Sequence, residues 1–133
     1  PLIYACDSRD VIVVHVNPIM REDLPKSAAE ILNRINEISF NSSLMREMRA
    51  ISFVTRLIDD GQADAANLKR MLVHGIANEK AMSELSVASK LNADWEFLTY
   101  LKDIGRAAAE EWLAANFDRL GKETTIDLHQ TYL

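Results

Sequence analysis

Hydrophobic positions along this chain fall into two kinds of run. Between Asp10 and Asn17, five of six residues are apolar, and Val11, Ile12, Val13 and Val14 form an unbroken β-branched stretch. A strand with one wet face alternates polar and apolar residues, whereas a continuous Val/Ile run is the pattern of a parallel strand covered on both faces. A strand is therefore expected over about 10–17, stopped by Pro18, which cannot donate to a ladder. The shorter run from Met71 to Ile76 predicts a second strand over about 70–76.

The other runs have helical spacing. Ser27 and Glu30 form a capping box, after which Ala28, Ile31, Leu32, Ile35 and Ile38 share one face, with Glu30, Asn33, Arg34 and Glu37 on the wet side. Asn41-Ser42-Ser43 is expected to interrupt or bend this helix, because short polar side chains compete for backbone hydrogen bonds. A second pattern, through Leu44, Met48, Ile51, Thr55 and Ile58, is apolar around most of its circumference and ends at Gly61. Helix is thus expected over about 27–60. Residues 62–67 read as one loose turn, 79–85 as an acidic helical turn and 86–92 as a polar connection. A last helix, over about 93–120, starts behind Asn92 or Asp94 and carries Phe97, Leu101, Ile104, Ala108 and Trp112 at helical spacing, with Gly121 ending it. Gly105 inside it costs about 1 kcal/mol against alanine, which a close approach to another element would explain. The tail from Lys122 to Leu133 is expected to be extended or frayed.

Composition narrows the class. With 133 residues, 48% hydrophobic and 26% charged, the chain can bury a core as one globular domain. A formal charge of −5 argues against a nucleic-acid partner, which needs a basic face. The single cysteine, Cys6, permits no internal disulfide and reads as a buried reduced thiol of a cytosolic protein. No apolar run reaches the ~18 residues of a membrane span. The chain opens on Pro1 rather than methionine, which reads as a piece of something longer.

The residues declare little chemistry. His15, His74 and His129 are scattered without metal-ligand spacing, the four glycines form no phosphate loop, and no serine sits in a GxSxG elbow. Asp60-Gly61 reads as a helix end. Arg46, Arg49 and Arg56 share a helical face suited to salt bridges or plain solvation, and Trp95, Trp112, Phe97 and Tyr100 are expected in the core. His15 reads as a half-buried structural histidine. With Asn17 it occupies the carboxyl end of a strand, where open α/β sheets bind ligands.

Two stretches carry a resemblance. Pro1-Leu-Ile-Tyr-Ala-Cys-Asp-Ser-Arg-Asp-Val-Ile-Val-Val-His-Val-Asn-Pro18 and Asn33-Arg-Ile-Asn-Glu-Ile-Ser-Phe-Asn-Ser-Ser-Leu-Met-Arg-Glu-Met-Arg-Ala-Ile51 resemble the C-terminal part of bacterial patatin-like phospholipases that carry an uncharacterised C-terminal domain. Ser89-Lys-Leu-Asn92, Trp95-Glu-Phe-Leu98 and Gly105-Arg-Ala-Ala108 are similar to the same group. The resemblance implies an α/β/α sandwich around a mainly parallel sheet, of which this chain would supply about two strands and three or four helices. It also implies a serine–aspartate dyad in which the aspartate acts as base. Serine in GxSxG, oxyanion loop and aspartate in DG[GA] would all precede Pro1-Leu2, the end of the Asn-x-Pro-Leu-like stretch that follows the aspartate. No catalytic, cofactor-binding or metal-ligating residue is therefore assigned, and no cofactor is expected. The implied partner is a lipid or acyl-ester substrate held by the upstream part. Peripheral membrane contact and association between copies, in the cytoplasm or at a bacterial membrane surface, are further expectations. The competing expectation is a self-standing regulatory or protein-interaction domain.

Overall fold

The computed structural model describes residues 2–21, 24–64 and 68–133. Its elements in order are helix α1 (Leu2–Ala5), strand β1 (Asp10–Val14), helix α2 (Ala28–Asp59), strand β2 (Leu72–Ile76), helix α3 (Glu79–Ser83), helix α4 (Trp95–Asn116) and helix α5 (Leu128–Tyr132). β1 and β2 pair as a two-stranded parallel sheet, so the mixed α/β character expected from the hydrophobic runs holds. The long connection between them suits this pairing, because parallel neighbours need a crossover rather than a hairpin. Among the described residues, no helix is long and apolar enough to cross a membrane.

The chain divides into two compact units: Pro1–Val13 with Ser43–Gly75 and Asn116–Leu133, and Val14–Ser42 with Ile76–Ala115. The first contains the apolar core. Met48 and Ile51 from the second half of α2, Met71, Leu72 and Val73 at β2, and Tyr132 of α5 are all buried. The rest of that half of α2 is not enclosed, although its pattern is apolar around most of the circumference: Phe53 is 52% exposed. Gly61 follows α2 with a φ of 67°, the left-handed conformation that ends a helix and that glycine adopts without a Cβ clash. The C-terminal tail is not frayed. Asp127 caps α5 by accepting from the backbone N–H groups of His129 and Gln130, and Tyr132 is fully buried. A single buried aromatic in a polar tail has no periodicity to announce it.

In the second unit, α2 presents the face opposite to the expected one. Ile31, Leu32, Ile35 and Ile38 remain 46–60% exposed, while Glu37 and Asn41 are buried. The cause lies in the loop after β1. Arg21 Nε donates to both carboxylate oxygens of Glu37, at 3.0 and 2.8 Å, and its Nη1 donates to the Ser83 carbonyl at 2.7 Å. The Asn41 amide donates to the Pro18 carbonyl at 3.0 Å. Irregular backbone and a guanidinium can be buried only against polar partners, so the polar side of the helix turns toward them. The carboxylate of Glu37 is held below its ordinary pKa, first by the Arg21 hydrogen bonds and against the opposing effect of burial.

Several other expectations are corrected. Asn41-Ser42-Ser43 does not interrupt α2, which runs unbroken through them. β1 ends at Val14, and its apolar run is not covered on both faces: Ile12, Val14 and Val16 are 44%, 63% and 61% exposed. Cys6 is exposed rather than buried. Trp95 is 78% exposed and Tyr100 is also exposed, whereas Phe97 and Trp112 are half-buried. Within the polar connection expected over 86–92, residues 87–91 form a 3₁₀ helix, and α4 gives way to a second 3₁₀ turn, Phe117–Arg119, before Gly121. Local signals did hold. The Ser27–Glu30 capping box closes reciprocally, at 3.3 and 3.1 Å, and Asp94 accepts from the Phe97 N–H at 3.0 Å where α4 begins. The turn expected over 62–67 lies partly outside the described residues.

Candidate functional site

β1 and β2 are parallel, so their carboxyl ends lie on the same side of the ladder, closed by the His15 N–H donating to the Ile76 carbonyl at 2.9 Å. Beyond that bond, within the second unit, opens a cavity of about 280 Å³. Val14, His15, Val16, Asn17 and Pro18 form the wall from β1 and its loop, and Ile76, Ala77 and Asn78 form it from β2. Met82 contributes from α3, Leu85 and Ser86 from the turn after it, and Ser89 and Lys90 from the 3₁₀ helix. One face of α4 completes it with Leu101, Ile104, Gly105 and Ala108. A mostly aliphatic pocket with a few polar groups at the carboxyl end of a parallel ladder is the usual form of a small-molecule site in such folds.

The polar groups of this wall are differently engaged. Glu37 is neutralised by Arg21 as described. Asn78 Oδ1 accepts from the Ala81 N–H, capping α3. His15 is half-buried, and burial holds its imidazole below the ordinary histidine pKa despite the opposing charge of Glu79, so it is neutral at pH 7. Ser89 donates its hydroxyl to the Ser86 carbonyl at 2.6 Å. Lys90 places its ammonium 5.6 Å from the centre of the Phe40 ring and makes no salt bridge among the described residues.

Sequence reasoning missed a second polar cluster, in the first unit. The fully buried His74 lies with Nε2 3.0 Å from Asp10 Oδ1 and Nδ1 3.0 Å from Thr125 Oγ1. Hydroxyl, imidazole and carboxylate in line have the outline of a nucleophilic triad. Its surroundings give it another job. The imidazole has no exposed surface, and Asp10 Oδ1 also accepts the Gly121 N–H at 2.7 Å. Thr124 Oγ1 accepts from the Val73 N–H, and the Thr125 N–H donates to the Val73 carbonyl. The two bonds at Val73 take up one edge of β2 and fasten Thr124 and Thr125 along it, while Gly121 is held to Asp10 of β1. The cluster binds the tail to the sheet. The separation of 64 positions between Asp10 and His74 leaves no spacing signal in the sequence.

The structure therefore brings His15 and Asn17 into one cavity, as their position at a strand end suggested, and leaves His74 in a separate structural cluster. Among the described residues, no group of three or more His, Cys, Asp or Glu side chains could hold a metal ion. Arg46, Arg49 and Arg56 are exposed; Arg56 lies over the Phe53 ring, 5.7 Å from its centre. No family model, no curated protein and no solved structure matches the chain.

Proposed function

We propose that this chain is the C-terminal structural portion of a patatin-like lipid acyl hydrolase, with the serine–aspartate dyad supplied by residues upstream of Pro1. The observation that carries this reading is the open edge of β1. In the parallel ladder, His15 and Arg9 face β2, so the backbone groups of Ile12 and Val14 face away from it. Among the described residues no other strand takes them up, and the side chains of Ile12, Val14 and Val16 are exposed. Parallel sheets of α/β proteins are covered on both faces, and sheets ordinarily run to about five or six strands rather than two. An unfilled edge of unpaired backbone and β-branched side chains suits a sheet continued by further strands of the same protein. In the α/β/α sandwich that the resemblance implies, those strands carry the nucleophile elbow and the aspartate, next door to β1.

On this reading the chain supports acyl-ester hydrolysis without containing a reacting group. The test is hydrolysis of p-nitrophenyl butyrate by two forms of the protein. The 133-residue chain should be inactive, and a form extended upstream through GxSxG and DG[GA] motifs should be active and lose its activity on Ser→Ala substitution in the elbow. Hydrolysis by the short chain, or an upstream region with neither motif, overturns the reading.

A second reading, a regulatory or protein-interaction domain, is favoured by the exposed stripe of Ile31, Leu32, Ile35 and Ile38 on α2, because apolar patches on monomers commonly mark interaction surfaces. An inactive extended form would leave this reading standing.

A further inference from the structure

The interior glycine of α4 is the clearest anomaly in the second unit. Gly105 lies in a helix of 22 residues, where glycine costs about 1 kcal/mol against alanine. Such a glycine ordinarily makes room for another element. Here a Cβ built on Gly105 would meet no atom within 4 Å, so no neighbour uses the space. Gly105 is exposed and lines the cavity at the strand ends together with Leu101, Ile104 and Ala108.

The wall selects what could fill it. Val14, Val16, Ile76, Met82, Leu85 and Ile104 are aliphatic, and no Phe, Tyr or Trp is among the lining residues described. A flat aromatic ligand would have no ring to stack on. A flexible alkyl chain matches such a lining, each buried methylene contributing about 0.8 kcal/mol. Of the charged groups in the wall, Glu37 is matched by Arg21 and His15 is kept neutral by burial, which leaves the exposed Lys90, whose ammonium lies 5.6 Å from the centre of the Phe40 ring. The local field therefore favours an anion at that end, and a neutral or cationic head group would gain nothing from it.

We infer that the cavity bounded by the carboxyl ends of β1 and β2, the 3₁₀ helix and the Gly105 face of α4 is a binding site for a linear alkyl carboxylate, with the chain against the aliphatic wall and the carboxylate at Lys90. This goes beyond the acyl-hydrolase reading and does not depend on it, because every residue involved lies within the chain and no upstream strand is needed. Binding by the short chain and hydrolysis by an extended form are separate observations, and either can fail without the other.

The experiment is isothermal titration calorimetry of the 133-residue chain with octanoate, decanoate and dodecanoate below their micellar concentrations. Saturable one-to-one binding is expected, tightening about three- to fourfold per methylene until the cavity is full. Lys90→Gln should weaken decanoate by about tenfold, and decanol should bind the unsubstituted chain equally weakly. Gly105→Leu, which occupies the open space, should abolish binding while circular dichroism shows the helix content retained. Gly105→Ala, with one methyl, checks that any loss comes from filled volume rather than from a changed helix. Absence of saturable binding to any of the three carboxylates overturns the inference, as does decanoate affinity unchanged by both Gly105→Leu and Lys90→Gln. Equal affinity for decanol and decanoate overturns the carboxylate assignment. Co-sedimentation with phosphatidylglycerol vesicles that Gly105→Leu leaves intact, with no decanoate binding, would assign the lipid contact to a membrane-facing surface instead.

Discussion

Asp10 Oδ1 accepts two hydrogen bonds, from His74 Nε2 at 3.0 Å and from the Gly121 N–H at 2.7 Å. One carboxylate oxygen thereby joins the start of β1, the middle of β2 and the turn that follows α4. The Gly121 N–H is the leading cause of the lowered pKa of Asp10, ahead of the opposing burial and the contribution of His74. A carboxyl whose folded pKa is depressed stabilises the fold above its unfolded value and loses that contribution as pH falls through the folded value. Asp10→Asn should cost roughly 1–3 kcal/mol at neutral pH, the cost of a buried hydrogen-bonding group losing its partner. Urea denaturation should show the gap between variant and parent closing only as pH falls below the ordinary carboxylate range and through the lowered folded value, where the parent carboxyl also becomes neutral. A gap independent of pH would mean that the ionised carboxylate is not what binds the tail.

The Arg21–Glu37 pair should behave more severely. The Glu37 side chain is 6% exposed and that of Arg21 is 25% exposed, so removing the cation leaves a nearly buried carboxylate without its partner. Arg21→Ala should destabilise by roughly 3 kcal/mol, near the lower end of the range for breaking a buried pair. With its chief stabiliser removed, the Glu37 carboxyl should titrate above its ordinary value rather than below it, since burial then dominates. NMR titration of the Glu37 side chain reads the direction. A carboxyl that stays depressed in Arg21→Ala would show Arg34, 3.4 Å away, to be sufficient.

Two isoleucines on one helix should respond differently to the same truncation. Ile51 is 7% exposed and Ile35 is 53% exposed, although both fall on apolar stripes of α2. Ile51→Ala should cost about 2–5 kcal/mol and Ile35→Ala less than about 0.5 kcal/mol, measured as denaturant midpoints at constant m-value. Equal costs would place Ile35 in a core and contradict the orientation of the helix.

Glycine substitutions should divide by backbone angle. Gly61→Ala should destabilise by about 1 kcal/mol, because its φ of 67° strains an L side chain. Gly105→Ala should stabilise by about 0.5–1 kcal/mol, since it sits in a regular helix with open space where the methyl would go. Thermal melts of the two variants should shift in opposite directions.

These contrasts mark how far the chain could be read from its residues. The ends of α2 and α4 were legible because their causes lie within a few positions: Ser27 with Glu30, Asp94 with the Phe97 N–H, and Gly61 at a positive φ. β2 was legible as a short apolar run, and the place of His15 and Asn17 at a strand end followed from the run that precedes them. The cavity itself was not, because its wall joins residues from Val14 to Ala108 that share no spacing. Gly105 is the one residue that hints at it, and a glycine inside a helix suggests a close approach where the structure has open space.

Local chemistry thus decided where helices and strands begin and end, since capping, chain reversal and β-branched runs act between near neighbours. Which face of an element turns inward was decided by tertiary structure. Glu37 is buried because Arg21 waits in the loop after β1, and Asn41 because the Pro18 carbonyl there needs a donor. His74 is buried because Asp10 and Thr125 satisfy both ring nitrogens. A hydrophobic pattern places polar residues outside by default, and that default fails wherever a distant partner satisfies their hydrogen bonds.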